Sequence, residues 1–407
     1  MNRECAIGHL DADSFYVSAE RVRDPYLRGK PVGVLGNNGA CVIARSYEMK
    51  KYGVRVGEPI WEAVKRCPQG IYIKRDFHWY EVLSRKMLEI IRSKSSQVEY
   101  YAIDEFFFIV RPSTGQTMEE FCKEVRDDIL LETGLPVTAA IARSRTLAKL
   151  MTDTFKPFGT SVMLTRAEEE EFLGRLPIDA VSGIARRRAA RLAPYQVHTC
   201  LDFCRLRRTV VKQLLTVVGE TLWRELHGEA VIPIQMIRPA HKMLSRGGSV
   251  GWATSDEMVI CAWLVRHLER LIEELHYHEV HTQRITVWFG HQEGPDGVGE
   301  YQLDSPSNLF DHLLVAVQQA AKVAWTGAAV SRMSIIASQL TSSNYVQQSL
   351  FDQPSERQES LAYLKKNINQ HLGRFTVRSG ATLPLYEIYH DRASNYEICD
   401  IHDKFCF

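Results

Sequence analysis

Two adjacent acids, Asp104 and Glu105, interrupt the apolar run YYAIDEFFFIV, and this feature constrains the fold of the chain most strongly. The aromatic and branched residues on either side predict two short strands, VEYYA and EFFFIV, that meet at the acids. An ionised carboxylate is costly to remove from water unless another group offsets its charge. The run itself contains no such group. Either the pair lies in a solvated turn, or a distant part of the chain supplies its partner.

The order of the predicted elements favours a partner from a distant part of the chain. Without residues 14–75, the chain reads strand, helix, strand, strand, helix, strand. The strands are AIGHLDAD, VEYYA, EFFFIV and LPVTAAIA, and the helices are HWYEVLSRKMLEIIRS and TMEEFCKEVRDDILLETG. This order is typical of a ferredoxin-like sheet, in which we expect the first strand and the two middle strands to be neighbours. Asp11 ends the first strand, so we expect it to lie close to Asp104 and Glu105.

Three converging carboxylates indicate divalent cations. Like charges repel at short range, so cations must lie between the acids if all three are ionised. Mg²⁺ prefers oxygen ligands and completes its shell with waters and substrate phosphates. Two such ions, about 3.5–4 Å apart, can promote an in-line displacement at phosphorus. The pattern therefore predicts phosphoryl-transfer chemistry at one end of the sheet.

Composition and charge exclude the disordered and membrane classes. The 407 residues exceed the usual size of one core, so we expect several domains. Hydrophobic residues make up 45% of the chain, yet no run is apolar enough for a signal segment or a membrane span. With a net charge of +1, any contact with nucleic acid must come from local Lys and Arg patches. Nine scattered cysteines without a CxxC pair indicate reduced thiols in a cytosolic protein.

Five segments occur in an order and spacing that resemble the Y-family DNA polymerases, which are small, low-fidelity enzymes of translesion synthesis. The segments are LDADSFYVSAE, GACVIARSYEMKKYGVRVGEP, YAIDEFF, AIARSRTLAKL and LPIDAVSGIARRRAARL. The stretch GNNGACVIARS is most similar to the UmuC-type branch, which contains the catalytic subunit of DNA polymerase V. The resemblance covers roughly residues 4–352.

This resemblance implies an α+β fold, that of a multidomain right-hand polymerase with a ferredoxin-like palm. Small fingers, a helical thumb with a helix-hairpin-helix, and an α/β little finger complete it. The implied boundaries are 1–13 and 76–165 for the palm, 14–75 for the fingers, 166–237 for the thumb, 238–340 for the little finger, and 341–407 for a clamp-binding motif and C-terminal tail. The implied function is template-directed, error-prone DNA synthesis from dNTPs on primer–template DNA, in a cytoplasmic, nucleoid-associated protein.

By similarity, the catalytic residues are Asp11, Asp104 and Glu105. They would hold two Mg²⁺ ions, with Mn²⁺ as an alternative metal, and the carbonyl of Ala12 would add a ligand. Glu105 would lie nearest the primer 3′-hydroxyl, which is itself the attacking group, so no protein nucleophile is needed. Asp13 matches a polar position beside the metals and stays outside the ligand set.

The resemblance also implies the residues that bind the incoming nucleotide. Phe15 and Tyr16 would bind the nucleotide, and the ring of Tyr16 would lie beneath the deoxyribose and exclude a 2′-hydroxyl by shape. Tyr47, Lys50 and Lys156 match residues that contact the triphosphate. Lys50 is an arginine in other branches, so a bidentate grip becomes a point-charge contact here. Two alternatives to these roles remain. Tyr16 could simply be an aromatic residue of the core, and the lysines could simply be solvated surface residues.

VSGIARRRAARL resembles a thumb helix-hairpin-helix that grips DNA phosphates through backbone N–H groups. Ala185 replaces the second glycine of that motif, and because alanine resists positive φ we expect a distorted hairpin. An Arg-rich helix could also be merely solvated. The DNA-binding residues that the resemblance implies are Gly183, Arg186, Arg187, Arg188 and Arg191.

YVQQSLFDQ matches the short linear motif that docks on a sliding clamp. Gln347 would be its polar anchor, and Leu350 and Phe351 would fill an apolar pocket of the clamp. Beyond residue 341 the chain is polar and then ends in what reads as an irregular, aromatic-rich tail. By analogy with UmuC-type chains, that tail could bind UmuD′-like or RecA-like partners.

Two rival functions remain open. A non-catalytic UmuC-like scaffold would bind DNA and clamp without polymerising, but such relatives lose the metal carboxylates, and here all three positions are acidic. A nucleotidyl cyclase has a similar sheet and similar acids, but it needs neither a thumb nor a clamp motif. Template dependence of product formation distinguishes a polymerase from a cyclase.

Overall fold

A boundary near residue 238 divides the chain into two units, Met1–Arg238 and Pro239–Phe407. The computed structural model describes residues 6–36, 41–237, 239–345 and 356–390. Each unit has a hydrophobic core of its own. No helix within those residues is long and apolar enough to cross a lipid bilayer.

A three-stranded sheet lies in the N-terminal part of the first unit. The elements of this part are β1 (Ala6–Ala12), α1 (Phe15–Arg23), β2 (Val32–Leu35), β3 (Val42–Arg45), α2 (Tyr47–Lys51), α3 (Ile60–Arg66) and β4 (Ile71–Lys74). Strand β2 is central in the small sheet, antiparallel to β3 and parallel to β4. Val42, Met49 and Val54 are fully buried beside it. This segment therefore has a small core of its own.

A five-stranded sheet forms the centre of the first unit. It joins β1 to the elements α4 (Phe77–Lys94), β5 (Val98–Tyr100), β6 (Glu105–Val110), α5 (Met118–Thr133), β7 (Val137–Ala142), α6 (Arg145–Phe155) and β8 (Thr160–Met163). The strand order is β5-β6-β1-β7-β8, and the fully buried β1 pairs antiparallel with both β6 and β7. The ferredoxin-like arrangement is confirmed, although only β6 of the two middle strands touches β1.

Local signals in the sequence set the limits of the helices that cover this sheet. A capping box of Thr117 and Glu120 begins α5, and Gly134, with φ 73°, ends it in the left-handed region that favours glycine. The hydroxyl of Ser144 accepts the N–H of Leu147 and begins α6. Helix α5 packs on β7 and β8, and α6 packs on β1 and β7. Helix α6 thereby lies beside the strand that carries Asp11.

The fifth strand, β8, was not predicted from the sequence. It has four residues, each half-buried, so neither alternation nor a long apolar run marks it. It forms because it pairs in parallel with β7, between Ala139–Ala142 and Thr160–Met163.

Residues 166–237 are helical, as the sequence predicts. The helices are α7 (Arg166–Arg175), α8 (Arg186–Leu192), α9 (Cys200–Arg205) and α10 (Arg208–Leu226). They share a hydrophobic core with α6 of the central layer. Helix α10 is interrupted at Thr216, where φ is 64°.

The second unit is a four-stranded antiparallel sheet with two helices. Its elements are β9 (Met243–Thr254), α11 (Glu257–Tyr277), β10 (Val280–His291), β11 (Gly297–Ser307), α12 (Phe310–Ala324) and β12 (Val330–Ser342). The strand order is β11-β10-β12-β9. Leu268, Leu271 and Phe289 are among the fully buried residues between the sheet and its helices. The sequence has amphipathic helical patterns near 258–274 and 307–322, and α11 and α12 cover these two ranges.

The expectation of an irregular tail is wrong for residues 356–390. They form α13 (Glu356–Leu372) and a 3-10 helical segment, Gly380–His390, that packs on α11. Helix α13 escapes detection because it is polar nearly all round. Charge contacts tie this part of the chain to α11 instead: Lys365 of α13 contacts Glu269 at 2.5 Å, and Arg374, two residues after the helix, contacts Glu273 at 2.6 Å.

The close packing of β1 generates a stability prediction. A Cβ at Gly8 would lie 2.3 Å from the buried ring of Phe108, so Gly8→Ala should lower the free energy of unfolding by about 1–3 kcal/mol through overpacking. Gly174→Ala is the control, because its Cβ would meet only Leu201 at 3.5 Å inside α7. Chemical denaturation should show Gly174→Ala unchanged or slightly stabilised. Equal effects of both changes would contradict this packing.

Candidate active site

The register of two strands brings the predicted acids together. Asp11 on β1 lies opposite Glu105 on β6, and residues paired in this way have side chains on the same face of a sheet. The N–H of Ala12 donates to the carbonyl of Asp104 at 3.0 Å, which fixes the turn before β6 against the end of β1. The three acids therefore share one site, although more than 90 residues of sequence lie between Asp11 and the other two.

Burial and mutual repulsion make two acids of this site costly to ionise. Burial raises the pKa of Asp11 to about 7, although Lys156 opposes the change, and the nearby charges of Asp104 and Glu105 raise it further. Burial, together with the charge of Glu105, raises the pKa of Asp104 to about 6. Both carboxylates are therefore costly to ionise without a cation nearby.

Glu105 is held by two groups of the protein. The Nζ of Lys149 lies 2.5 Å from its Oε2, and the Nε2 of His9 lies 3.6 Å from the same oxygen. Burial opposes ionisation, but His9 and Lys149 together lower the pKa of Glu105 to about 2. Burial also lowers the pKa of His9 to about 4, so its ring is neutral near pH 7. Glu105 is thus an ionised carboxylate near neutral pH, paired with the ammonium group of Lys149.

A cavity of about 430 Å³ opens in front of the acids. All nine residues predicted to bind metal or nucleotide line this cavity: Asp11, Ala12, Phe15, Tyr16, Tyr47, Lys50, Asp104, Glu105 and Lys156. The central sheet contributes acids to one side, and β3 and α2 contribute Ile43, Ala44 and Tyr47 to the other. One cleft therefore contains both carboxylates that can bind metal cations and ammonium groups that can bind phosphates.

Tyr16 forms part of a rigid aromatic cluster at the edge of this cavity. Its ring stacks on Tyr80 with centroids 4.7 Å apart and lies 5.6 Å from the ring of Phe77. The hydroxyl of Tyr80 is fixed in turn by Glu20 at 2.6 Å. Phe15 is buried beneath the same cluster. Tyr16 thus presents a fixed surface to whatever enters the cavity.

Asp13 has a different environment from the other acids. Its carboxylate accepts the hydroxyl of Thr138 at 3.0 Å and the N–H of Phe158 at 2.7 Å, and it also hydrogen-bonds to Tyr47. Burial raises the pKa of Asp13 despite these donors. Asp13 positions the residues around it, in line with its exclusion from the ligand set.

The donor set fits a divalent cation such as Mg²⁺. Carboxylate oxygens are the ligands that Mg²⁺ prefers, and the raised pKa values of Asp11 and Asp104 mark negative charge that a cation would offset. Within the described residues, however, no three His, Cys, Asp or Glu side chains are grouped as a finished metal site. Lys156 lies 2.6 Å from Asp11 and Lys149 lies 2.5 Å from Glu105, so ammonium groups neutralise two of the acids. The metal-ligand assignment stays a prediction.

Sequence reasoning missed several residues of this site. Lys149 and His9 contact Glu105, and Arg45 and Asp153 line the cavity. Lys149 was detectable, because it precedes Lys156 by seven residues and so lies on the same side of α6, two turns away. His9 gave no signal, since a single histidine in a buried strand is ordinary.

The predicted DNA-binding residues lie outside the cavity, at the start of α8. Gly183 takes φ 100°, whereas Ala185 has φ −82° and serves as the N-cap of α8. The expected distortion at Ala185 is therefore wrong, because only Gly183 needs the left-handed region. Arg188 donates to the carbonyl of Gly183. The other arginines of the predicted set are exposed: Arg186, Arg187 and Arg191.

The predicted clamp-binding residues Gln347, Leu350 and Phe351 lie outside the described residues. The same holds for the end of the chain after residue 390.

Comparison with known proteins settles the family. Residues 10–153 match the model of the impB/mucB/samB family, and residues 241–350 match that of the impB/mucB/samB family C-terminal domain. A DNA polymerase IV of Xanthomonas campestris pv. campestris is 31% identical over 285 residues, or 69% of this chain and 77% of that protein. The chain belongs to the impB/mucB/samB family. The resemblance that its motifs indicated is thereby confirmed.

Similarity extends along nearly the whole chain in some members of the impB/mucB/samB family. Protein ImpB of Salmonella typhimurium is 28% identical over 406 residues, covering 94% of this chain and 95% of that protein. Among solved structures, the Y-family DNA polymerase chimera Dbh-Dpo4(243-245)-Dbh matches with a TM-score of 0.72. It covers 83% of this chain and 99% of its own at 22% identity. The fold of this family member is therefore that of Y-family DNA polymerases.

The electrostatics of the site predict that replacing Asp104 by asparagine stabilises the folded protein, and that this gain depends on pH. The pKa of Asp104 is higher in the folded chain than in the unfolded one, so ionising it costs stability as the pH rises through about 6. Asp104→Asn should raise the unfolding temperature at pH 8 by a few degrees, and the gain should shrink toward pH 5. Asp153→Asn, at a more exposed acid of the same cavity, should change the unfolding temperature little. A gain independent of pH would contradict this explanation.

Proposed function

We propose that this protein is a template-directed DNA polymerase that performs error-prone translesion synthesis. It transfers a nucleotide from a dNTP to the 3′-hydroxyl of a primer. The observation that carries the proposal is the register Asp11 opposite Glu105, because it gathers three acids in a cavity that also contains Tyr16, Tyr47, Lys50 and Lys156. Membership of a family that contains DNA polymerase IV supports it.

The metals of this reaction would be two Mg²⁺ ions, or Mn²⁺ in their place. Asp11, Asp104, Glu105 and the carbonyl of Ala12 would hold them. When bound, they supply positive charge at the reacting phosphate. The residues of the chain contribute position and charge, and the primer oxygen attacks, so the site needs no nucleophile of its own.

The incoming nucleotide would be held by groups on both sides of the cavity. Lys156 and Lys50 provide ammonium groups for the triphosphate, and Tyr47 adds a hydroxyl. Tyr16 and Phe15 would lie beneath the deoxyribose. Because Tyr16 is fixed by Tyr80 and Phe77, its ring cannot move aside for a 2′-hydroxyl without breaking the cluster. The same geometry therefore selects for a deoxyribonucleotide.

The remaining assignments follow the family's architecture. The palm comprises residues 1–13 and 76–165, the fingers 14–75, the thumb 166–237 and the little finger 238–340. The start of α8 binds DNA phosphate through backbone N–H groups and through Arg186, Arg187 and Arg191, which are exposed. The fold shared with solved Y-family DNA polymerases, one of them titled an insertion ternary complex of Dbh DNA polymerase, supports this arrangement. A sliding clamp would bind at Gln347, Leu350 and Phe351, and UmuD′-like and RecA-like proteins are candidate partners of the C-terminal segment.

The rival functions are less well supported. A non-catalytic scaffold has no use for a cluster of three acids, two of which, Asp11 and Asp104, are costly to ionise. A nucleotidyl cyclase has no use for the helical part that ends in α10 or for the separate second unit. A polymerase uses all of these parts.

Asp104→Ala tests catalysis at the site. The change removes one of the three acids and should reduce extension of a primed template by at least about 10³-fold, because charge stabilisation at the phosphate is lost. Primer–template affinity should stay within about twofold, since α8 lies outside the cavity. Primer extension and fluorescence anisotropy measure the two quantities. Asp127→Asn on α5 is the control, and near-normal extension by Asp104→Ala would exclude the proposed chemistry.

Tyr16→Ala tests sugar selection. Without the ring, a ribonucleotide should fit, so we expect the ratio of kcat/KM for dNTP over rNTP to fall by roughly 10²-fold or more. Tyr16→Phe keeps the ring and should keep the wild-type ratio. Steady-state single-nucleotide insertion measures this ratio. A ratio that is the same in all three proteins would show that Tyr16 is only a packing residue.

A further inference from the structure

We propose that Lys149 and Lys156 are internal counter-ions that keep the affinity of the three-acid site for divalent cations low until nucleotide phosphates draw Lys156 away. The proposal rests on the proposed function for the identity of the displacing ligand. It assigns Lys149, which lies in the segment AIARSRTLAKL but was given no role there, to the reaction site. It also gives Lys156 a second role besides contact with the triphosphate.

The geometry places one lysine on each of two acids. Lys149 lies within α6 and Lys156 is its C-cap residue, seven positions later, so both lie on one side of the helix. The Nζ of Lys149 is 2.5 Å from Oε2 of Glu105, and the Nζ of Lys156 is 2.6 Å from Oδ2 of Asp11. Because α6 packs directly on β1, the helix delivers both ammonium groups to the acids.

These ion pairs are not surface contacts of negligible strength. The side chain of Lys149 is 14% exposed and that of Lys156 24%, while those of Glu105 and Asp11 are 19% and 5% exposed. Charges shielded from water interact more strongly and are screened less by salt than exposed ones. Each ammonium group therefore competes effectively with any cation that approaches its carboxylate.

The net charge of these groups determines how the competition between the lysines and a divalent cation affects the affinity for that cation. When all are ionised, the three acids and the two lysines that contact them carry one net negative charge; Asp153, whose Oδ1 lies 3.9 Å from the Nζ of Lys156, is outside this count. Removal of either lysine would leave two negative charges and free one carboxylate oxygen. A divalent cation would then bind more tightly, because it gains attraction and loses a competitor.

The two lysines differ in what can displace them. Lys156 lines the cavity together with Lys50 and Tyr47, so a triphosphate in that cavity offers it a new anionic partner. Lys149 lies deeper, and its Nζ is also 5.6 Å from the ring of Tyr101 and beside the buried His9. We therefore infer that Lys156 moves with nucleotide binding, whereas Lys149 stays on Glu105 and holds it in place. Metal and nucleotide would then bind together rather than in sequence.

The test is a Mn²⁺ titration of the full chain without DNA or nucleotide, followed by electron paramagnetic resonance. Lys149→Met and Lys156→Met should each tighten Mn²⁺ binding by about tenfold relative to the wild type. Lys149→Arg keeps the charge and should match the wild type. Lys65→Met is the matched control, because Lys65 pairs with the exposed Glu62 at 2.9 Å on α3, away from the lining of the cavity.

Unchanged or weaker Mn²⁺ binding in both methionine variants would overturn the proposal. If Lys149→Met fails to fold, Lys149→Gln and the more exposed Lys156→Met carry the same test. Adding a non-hydrolysable dNTP should tighten Mn²⁺ binding in the wild type far more than in Lys156→Met. The titration without nucleotide does not depend on polymerase activity. If the wild type extends primers normally but the methionine variants bind Mn²⁺ no more tightly, the counter-ion role of the lysines is rejected and the proposed function stands. If the variants bind Mn²⁺ more tightly but the wild type extends no primer, the proposed function is rejected and the counter-ion role stands.

Discussion

The antiparallel pairing of β1 with β6 is the interaction on which the candidate site depends. It sets Asp11 opposite Glu105, and the hydrogen bond from Ala12 to Asp104 closes the arrangement. A shift of one residue in this register would turn Asp11 to the other face of the sheet. The register is fixed by burial, because all seven residues of β1 are inaccessible and Gly8 fits only against Phe108. Core packing thus determines the position of the charged groups.

Two lysines carried by one helix offset part of the cost of ionising these acids. Helix α6 brings Lys149 and Lys156 to the acids, and His9 supports Glu105 from within the sheet. Asp104 and Asp11 remain costly to ionise, as their raised pKa values indicate. Such partial compensation is expected of a site that must accept cations and phosphates, because full neutralisation by the protein would leave no affinity for either.

Much of the fold and the acid site could be predicted from the sequence. Strand and helix periodicity gave the order around the central sheet, and that order alone brought Asp11 to Asp104 and Glu105. Strand β8 and helix α13 could not be predicted, since one is too short for periodicity and the other is stabilised by ion pairs to α11. The expected distortion at Ala185 was wrong, because the position that needs positive φ is Gly183. Lys149 was missed although its seven-residue spacing from Lys156 puts both on one side of α6, because the packing of that side against β1 is what brings it to Glu105.

Metal-directed cleavage of the backbone tests most directly whether the three acids form one cation site. Fe²⁺ bound in place of Mg²⁺, with ascorbate and peroxide, generates hydroxyl radicals that cut the chain near the ion. The convergence of β1 and β6 predicts two sets of cuts, near residues 11–13 and near residues 104–105, both suppressed by excess Mg²⁺. Cuts at only one of these segments, or cuts elsewhere that Mg²⁺ suppresses, would contradict a shared site.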